Sequence, residues 1–178
     1  MSLDNITMKR KNIFLIGPPG AGKTTIGKAL ADELKLEFFD SDQEIEARAG
    51  ADISWIYDVE GEQGFRSREE RVIDELSQRK GIILSTGGGA ILSDLVRRCL
   101  AGRGTVVHLS VSIEDQLARM EKDKRRPQLQ TNNKRAVLED IALTSTPLYE
   151  EIADMTVVSG GRGLRLVVQE IVDKLRGE

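Results

Sequence analysis

Short apolar runs alternate along this chain with longer stretches whose apolar residues recur every three or four positions. Ile13-Phe14-Leu15-Ile16, bounded by Gly17 and Pro18, predicts a buried strand. Ile26, Ala29, Leu30 and Leu34 then recur at helical spacing and predict a helix over 23–34. Residues 36–39 predict a second strand, followed by a polar, partly helical stretch. Residues 62–79 predict a helix that turns Phe65, Val72, Ile73 and Leu76 inward. Ile82-Ile83-Leu84 predicts a third strand, stopped by Gly87-Gly88-Gly89, and Ser93 the N-cap of a short helix reaching Leu100. A fourth strand is expected over 105–109, and Ser112 caps a helix running to about Met120. Residues 133–143 are expected to be helical, 155–158 to form a fifth strand, and 164–175 a closing helix with Leu164, Val167, Val168, Ile171 and Leu175 on one face.

Strands alternating with helices imply an α/β fold with parallel strands covered on both faces. Continuous apolar runs suit strands buried on both sides. In such sheets the ligand crevice lies beyond the carboxyl ends of the strands, so those ends are where chemistry is sought.

Composition changes this picture little. The 178 residues fit one domain, 39% are hydrophobic and 31% charged, and no segment is biased toward disorder. A net charge of −3 argues against a nucleic-acid partner, though a local basic cleft could still hold small anions. The single cysteine, Cys99, excludes an internal disulfide and is expected to be a small buried hydrophobe. The polar N-terminus lacks the apolar core of a secretory signal, and no run approaches the ~18 apolar residues of a membrane span. A cytoplasmic location is expected.

The first strand end carries the most specific chemistry. Gly17-Pro18-Pro19-Gly20-Ala21-Gly22-Lys23-Thr24 fits G-x-x-x-x-G-K-[ST], between a predicted strand and a predicted helix. Glycines let backbone N–H groups approach phosphates, and the following helix N-terminus adds positive potential. The Lys23 ammonium can reach the β- and γ-phosphates of ATP, and the Thr24 hydroxyl can ligate Mg²⁺.

The second strand ends in Asp40-Ser41-Asp42. Side chains at i and i+2 of an extended segment share a side, so both carboxylates can face one crevice. Asp40 could hold Mg²⁺ through its waters. Asp42 could act as base toward a substrate hydroxyl, or it could simply cap a helix beginning near Gln43; spacing leaves both open. The third strand ends in Thr86-Gly87-Gly88-Gly89, which suits backbone lying close to a ligand and equally a flexible loop.

Lys122, Lys124, Arg125 and Arg126 precede Pro127 in a polar stretch that could form a lid, with Arg126 on the γ-phosphoryl oxygens. Taken alone they also read as a solvated helix end. Arg66, expected in the first turn of a helix, suits a substrate carboxylate or an ordinary surface. Trp55 and Tyr57 are expected to be packing residues, and His108 a strand histidine rather than a catalyst.

Together these residues resemble the shikimate kinases, nearly from end to end. The matching pieces are the 17–25 loop, Phe39-Asp40-Ser41-Asp42, Gly64-Phe65-Arg66, Thr86-Gly87-Gly88-Gly89, Arg125-Arg126-Pro127 and Pro147-Leu148-Tyr149. The resemblance implies a P-loop kinase fold, three-layer α/β/α, with a five-stranded parallel sheet in the order 2-3-1-4-5. It implies one domain over 1–178 with a substrate-binding insert at about 41–69 and a lid at about 121–133. It implies ATP- and Mg²⁺-dependent phosphorylation of the shikimate 3-hydroxyl by a monomer with no membrane partner. Gly20, Ala21, Gly22, Lys23, Thr24 and Thr25 would cradle the nucleotide, with Arg119 and Arg162 flanking the adenine. Thr24 and Asp40 would serve the metal. Lys23, Asp42 and Arg126 would be catalytic, Arg126 also contacting the nucleotide phosphates, and Asp42, Arg66, Gly87, Gly88, Gly89 and Ser145 would line the acceptor site.

One departure stands out. The family carries an arginine for the substrate carboxylate two residues before the proline of Pro147-Leu148-Tyr149, where this chain has Ser145. A serine donates one neutral hydrogen bond and forms no bidentate pair, which weakens binding by roughly 1–3 kcal/mol. Arg135 is too far along the same helix to replace it. A different small-molecule P-loop kinase, acting on gluconate or a nucleotide, and a nucleotide-driven switch remain the competing readings.

Overall fold

The structure is a computed structural model that describes residues 11–121 and 132–177. Five parallel strands, β1 Asn12–Ile16, β2 Glu37–Asp40, β3 Ile82–Ser85, β4 Gly104–Ser110 and β5 Met155–Val158, form one sheet in the order β2-β3-β1-β4-β5. Among the described residues, seven α-helices and a short 3-10 turn at Ala90–Leu92 connect and cover them: α1 Lys23–Leu34, α2 Ser41–Ala49, α3 Ile53–Ser77, α4 Asp94–Arg103, α5 Ile113–Met120, α6 Lys134–Ile152 and α7 Leu164–Leu175.

β1 shows why the fold has three layers. Alternate side chains of a strand face opposite sides, and here both sides are apolar. Phe14 and Ile16 enter a core built with Ile56, Phe65, Val72 and Leu76 of α3, Leu100 of α4 and Tyr149 of α6. Ile13 and Leu15 enter a second core with Ile26 and Leu30 of α1 and Val168 and Ile171 of α7. A parallel sheet wrapped this way leaves its carboxyl edge as the open side.

Several elements differ from the sequence expectation: the helix expected to reach Leu100 runs on to Arg103, and β3 and β4 extend past 84 and 109. β2 is one residue later than 36–39. The helix expected over 62–79 begins at Ile53, capped by Asp52 on the Trp55 N–H at 2.8 Å, and passes a kink at Gly61. The helix expected to stop at 143 continues to Ile152 with Pro147 inside it. Trp55 is half exposed rather than a packing residue, because it lies on the outer side of α3. Cys99 is buried, with its thiol 3.5 Å from Asp74 Oδ1.

Candidate active site

The loop leaving β1 is shaped for an anion. Gly22 adopts a left-handed conformation (φ 87°, ψ 22°) and caps α1 without a side chain. The first N–H groups of that helix therefore keep their donors for a ligand. Lys23 is buried, and its Nζ donates to the carbonyls of Gly17 (2.7 Å) and Pro18 (3.0 Å). Neighbouring elements brace the loop from outside. Gln116 donates to Pro19 O at 2.8 Å, Arg119 to Gly20 O at 2.7 Å, and Ser159 Oγ to Ala21 O at 2.7 Å. Arg119 reaches on to Ser159 O at 2.9 Å, so α5 and the turn after β5 grip the same loop. Arg162 sits on that turn, donating to Val158 O at 3.1 Å and paired with Glu170 of α7. Thr25 is exposed on the first turn of α1.

Thr24 Oγ1 donates to Asp40 Oδ2 at 2.5 Å, while Asp40 Oδ1 accepts from the Gln43 N–H at 3.1 Å. The helix cap is thus Asp40, not Asp42. Because this cap starts α2 at Ser41, the two carboxylates do not share one extended segment as the spacing argument supposed. Asp42, in the first helical turn, nevertheless reaches the triple glycine. A Cβ placed on Gly87 would lie 2.8 Å from Asp42 Oδ1 and 2.8 Å from Glu69 Oε2. Ser41, fully buried between the two acids, accepts from the Gly87 N–H at 3.1 Å.

Asp42, Arg66, Glu69 and Gly87 to Gly89 line one small hollow with Ile53, Tyr57 and Phe65. It adjoins a larger one of about 350 Å³ bounded by Pro19, Arg66, Gly88, Gly89, Asp140 and Ser145. Arg66 lies beyond the kink of α3 rather than in a first turn, and Glu69 holds it at 2.7 Å. Burial disfavours the guanidinium charge, but the Glu69 carboxylate, with smaller help from Tyr57 and Glu62, outweighs this and raises the group above its ordinary value. Tyr57 packs on Phe65 with ring centroids 4.9 Å apart, and burial pushes its phenol up. Ser145 is 2% exposed, on the α6 wall beside Thr144. Arg135 points elsewhere, paired with Glu114 at 3.1 Å. Lys122, Lys124, Arg125 and Arg126 lie outside the described residues, as does most of the expected lid.

Glu69 escaped the sequence reading although its signal was present. It stands four residues after Phe65 and three before Val72, so it falls on the buried stripe of α3. A carboxylate on an apolar stripe needs a partner, and Arg66 supplies it.

Known proteins resemble this chain over nearly its whole length. The family model described as Shikimate kinase matches residues 19–176. A shikimate kinase of Colwellia psychrerythraea is 54% identical over 168 residues, 94% of this chain and 98% of that protein. Shikimate kinase 1 of Yersinia enterocolitica is 54% identical over 94% of this chain and 97% of its own. The solved structure of the Acinetobacter baumannii shikimate kinase in complex with shikimate superposes with a TM-score of 0.94, at 44% identity, covering 98% of this chain and 97% of that one. This chain belongs to the shikimate kinase family.

Proposed function

We propose that this protein transfers the γ-phosphoryl group of ATP to the 3-hydroxyl of shikimate, giving shikimate 3-phosphate on the route to chorismate and the aromatic amino acids. One observation carries the reading: the strand-end features close into a circuit. Thr24 of the phosphate loop bonds Asp40 at 2.5 Å; Ser41, next in the chain, bonds the Gly87 N–H; and Gly88 returns to the phosphate loop against Pro19. A phosphate donor held on the loop and an acceptor in the adjoining hollow would meet inside that circuit.

Each side chain then has a task. Lys23 and the open helix terminus bind the β- and γ-phosphates. Asp42 accepts the proton of the attacking hydroxyl, and Arg66, steadied by Glu69, holds the substrate carboxylate. Gly88 and Gly89 line the same hollow, and no backbone carbonyl among the described residues accepts from their N–H groups. Arg119 and Arg162 flank the adenine, their guanidinium groups held by backbone carbonyls. Arg126, by the family resemblance, takes up charge on the transferring group. Thr24 and Asp40 bring two hard oxygen donors together, which suits Mg²⁺ with its nucleotide. Bound there, the ion neutralises charge on the phosphate oxygens. The acceptor is positioned by residues from 41–69, the closing segment is 121–133, and the protein acts as a cytoplasmic monomer. No helix among the described residues is long and apolar enough to cross a membrane.

A coupled ADP-release assay with shikimate, quinate, gluconate and the nucleoside monophosphates tests this. Turnover is expected with shikimate. Fast turnover on a nucleoside monophosphate with none on shikimate would overturn the reading, and flat traces throughout would favour a nucleotide-driven switch.

A further inference from the structure

Three consecutive glycines have no side chains to fix their peptide planes, so each plane swings at little cost. Yet the acceptor hollow takes one wall from Gly88 and Gly89. Hydrogen bonds from backbone N–H groups hold the two ends of this wall. The Gly87 N–H rests on Ser41 Oγ at 3.1 Å, the Ala90 N–H on Gly87 O at 3.2 Å, and the Leu92 N–H on Gly89 O at 3.2 Å. The middle is held by a side chain. Tyr149 of α6 donates its hydroxyl to Gly88 O at 2.9 Å. Tyr149 is 2% exposed and lines neither hollow, so it reaches Gly88 from behind. Its ring is stacked on His108 with centroids 4.9 Å apart and planes 24° from parallel. His108 stands in register beside Ile16, the last residue of β1, so the ring rests on the sheet itself.

The peptide joining Gly88 to Gly89 is trans, so its C=O and N–H point in opposite directions. With the carbonyl taken from the buried side, the Gly89 N–H is directed toward the hollow. No backbone carbonyl among the described residues accepts from it. We propose that Tyr149 is a positioning residue for the acceptor: its hydroxyl fixes the Gly88–Gly89 peptide plane and thereby aims the Gly89 N–H at the bound substrate. The inference deepens the shikimate reading above and rests on it.

Tyr149→Phe keeps the ring, its stacking and its volume, and removes only the donor. We expect the KM for shikimate to rise about fivefold, while kcat and the KM for ATP stay within about twofold. On titrating shikimate, the Gly89 amide resonance should move clearly in the parent protein and less in the variant. Unchanged KM for shikimate, an equal rise in both KM values, or a lower melting temperature with unchanged kinetics would make Tyr149 a packing residue and overturn the proposal. The parent protein in the same assay separates the two failures. If it turns over shikimate and the variant matches it, the positioning role alone falls. If it is silent on shikimate, the acceptor reading falls and takes this inference with it.

Discussion

Ser145 departs from the family pattern, and His108 is a histidine buried in the sheet. Ser145 sits at 2% exposure on the wall of the larger hollow, where the described charges are Arg66 against Glu62 and Asp140. One cation among acids is a weak seat for a carboxylate. An arginine at 145 could extend into the roughly 350 Å³ of space and add a second, forked donor. Ser145→Arg is expected to lower the KM for shikimate about tenfold, the worth of one charged hydrogen bond. An unchanged or higher KM would place the carboxylate away from this wall. His108 is the chain's single histidine. Burial holds its imidazole below the ordinary value of 6.5; Lys23 pushes the same way and Glu150 opposes. The unfolded chain therefore takes up this proton before the folded one does. Its contribution is fully retained above pH 6.5 and is lost as pH falls through the folded value. His108→Phe keeps a flat ring against Tyr149 and removes the titration. Melting temperature should fall more steeply in the parent than in the variant as pH drops from about 7 to 5.5. Parallel curves would show that His108 does not carry the effect.

At the scale of elements, legibility followed local consistency. α1 and α7 match their predicted spans because apolar spacing, strand neighbours and helix ends all agreed. α6 was read short because Pro147 lacks an N–H and normally ends a helix. Here the carbonyl it leaves unbonded belongs to Leu143, an exposed residue, so water can satisfy it and the helix continues. α3 was read short at its start for a related reason. Asp52 caps the start of the helix, and Gly61 interrupts its regular spacing. The conformation of Gly61, φ 74° and ψ 178°, is almost closed to other residues, and it lets one element turn and still pack Phe65 inward. Likewise the carboxylate pair was legible as chemistry and misread as geometry, since the Asp40 cap is a bond that spacing does not reveal. The kink makes a clean test. A Cβ on Gly61 would meet nothing within 4 Å, so Gly61→Ala introduces backbone strain without a clash. Urea denaturation should show a loss of about 1–3 kcal/mol, and Gly61→Ser should lose the same amount. A larger loss for serine would mean that space, not conformation, selects glycine there.

Across the whole molecule, the loop after β1 and the triple-glycine wall are not independent segments that happen to face each other. They touch at Gly88, where an added Cβ would stand 2.8 Å from Pro19 Cδ and 2.9 Å from Cγ. The proline ring cannot rotate aside, and its loop is braced by Gln116 and Arg119 from α5. Gly88 itself has no left-handed backbone, so alanine is acceptable in every respect except this contact. Gly88→Ala should therefore push two braced segments apart rather than strain one. Overpacking of this kind costs about 1–3 kcal/mol, and here the displacement is shared between both substrates' walls. The expected result is a rise in the KM for ATP together with the KM for shikimate, each by at least about threefold. That pattern differs from Tyr149→Phe, which should touch the shikimate term alone. Should Gly88→Ala disturb only shikimate, the wall has yielded and the phosphate loop has stood still. The contact through Pro19 would then be adjacency without mechanical consequence, and the two substrates would be positioned separately by this fold.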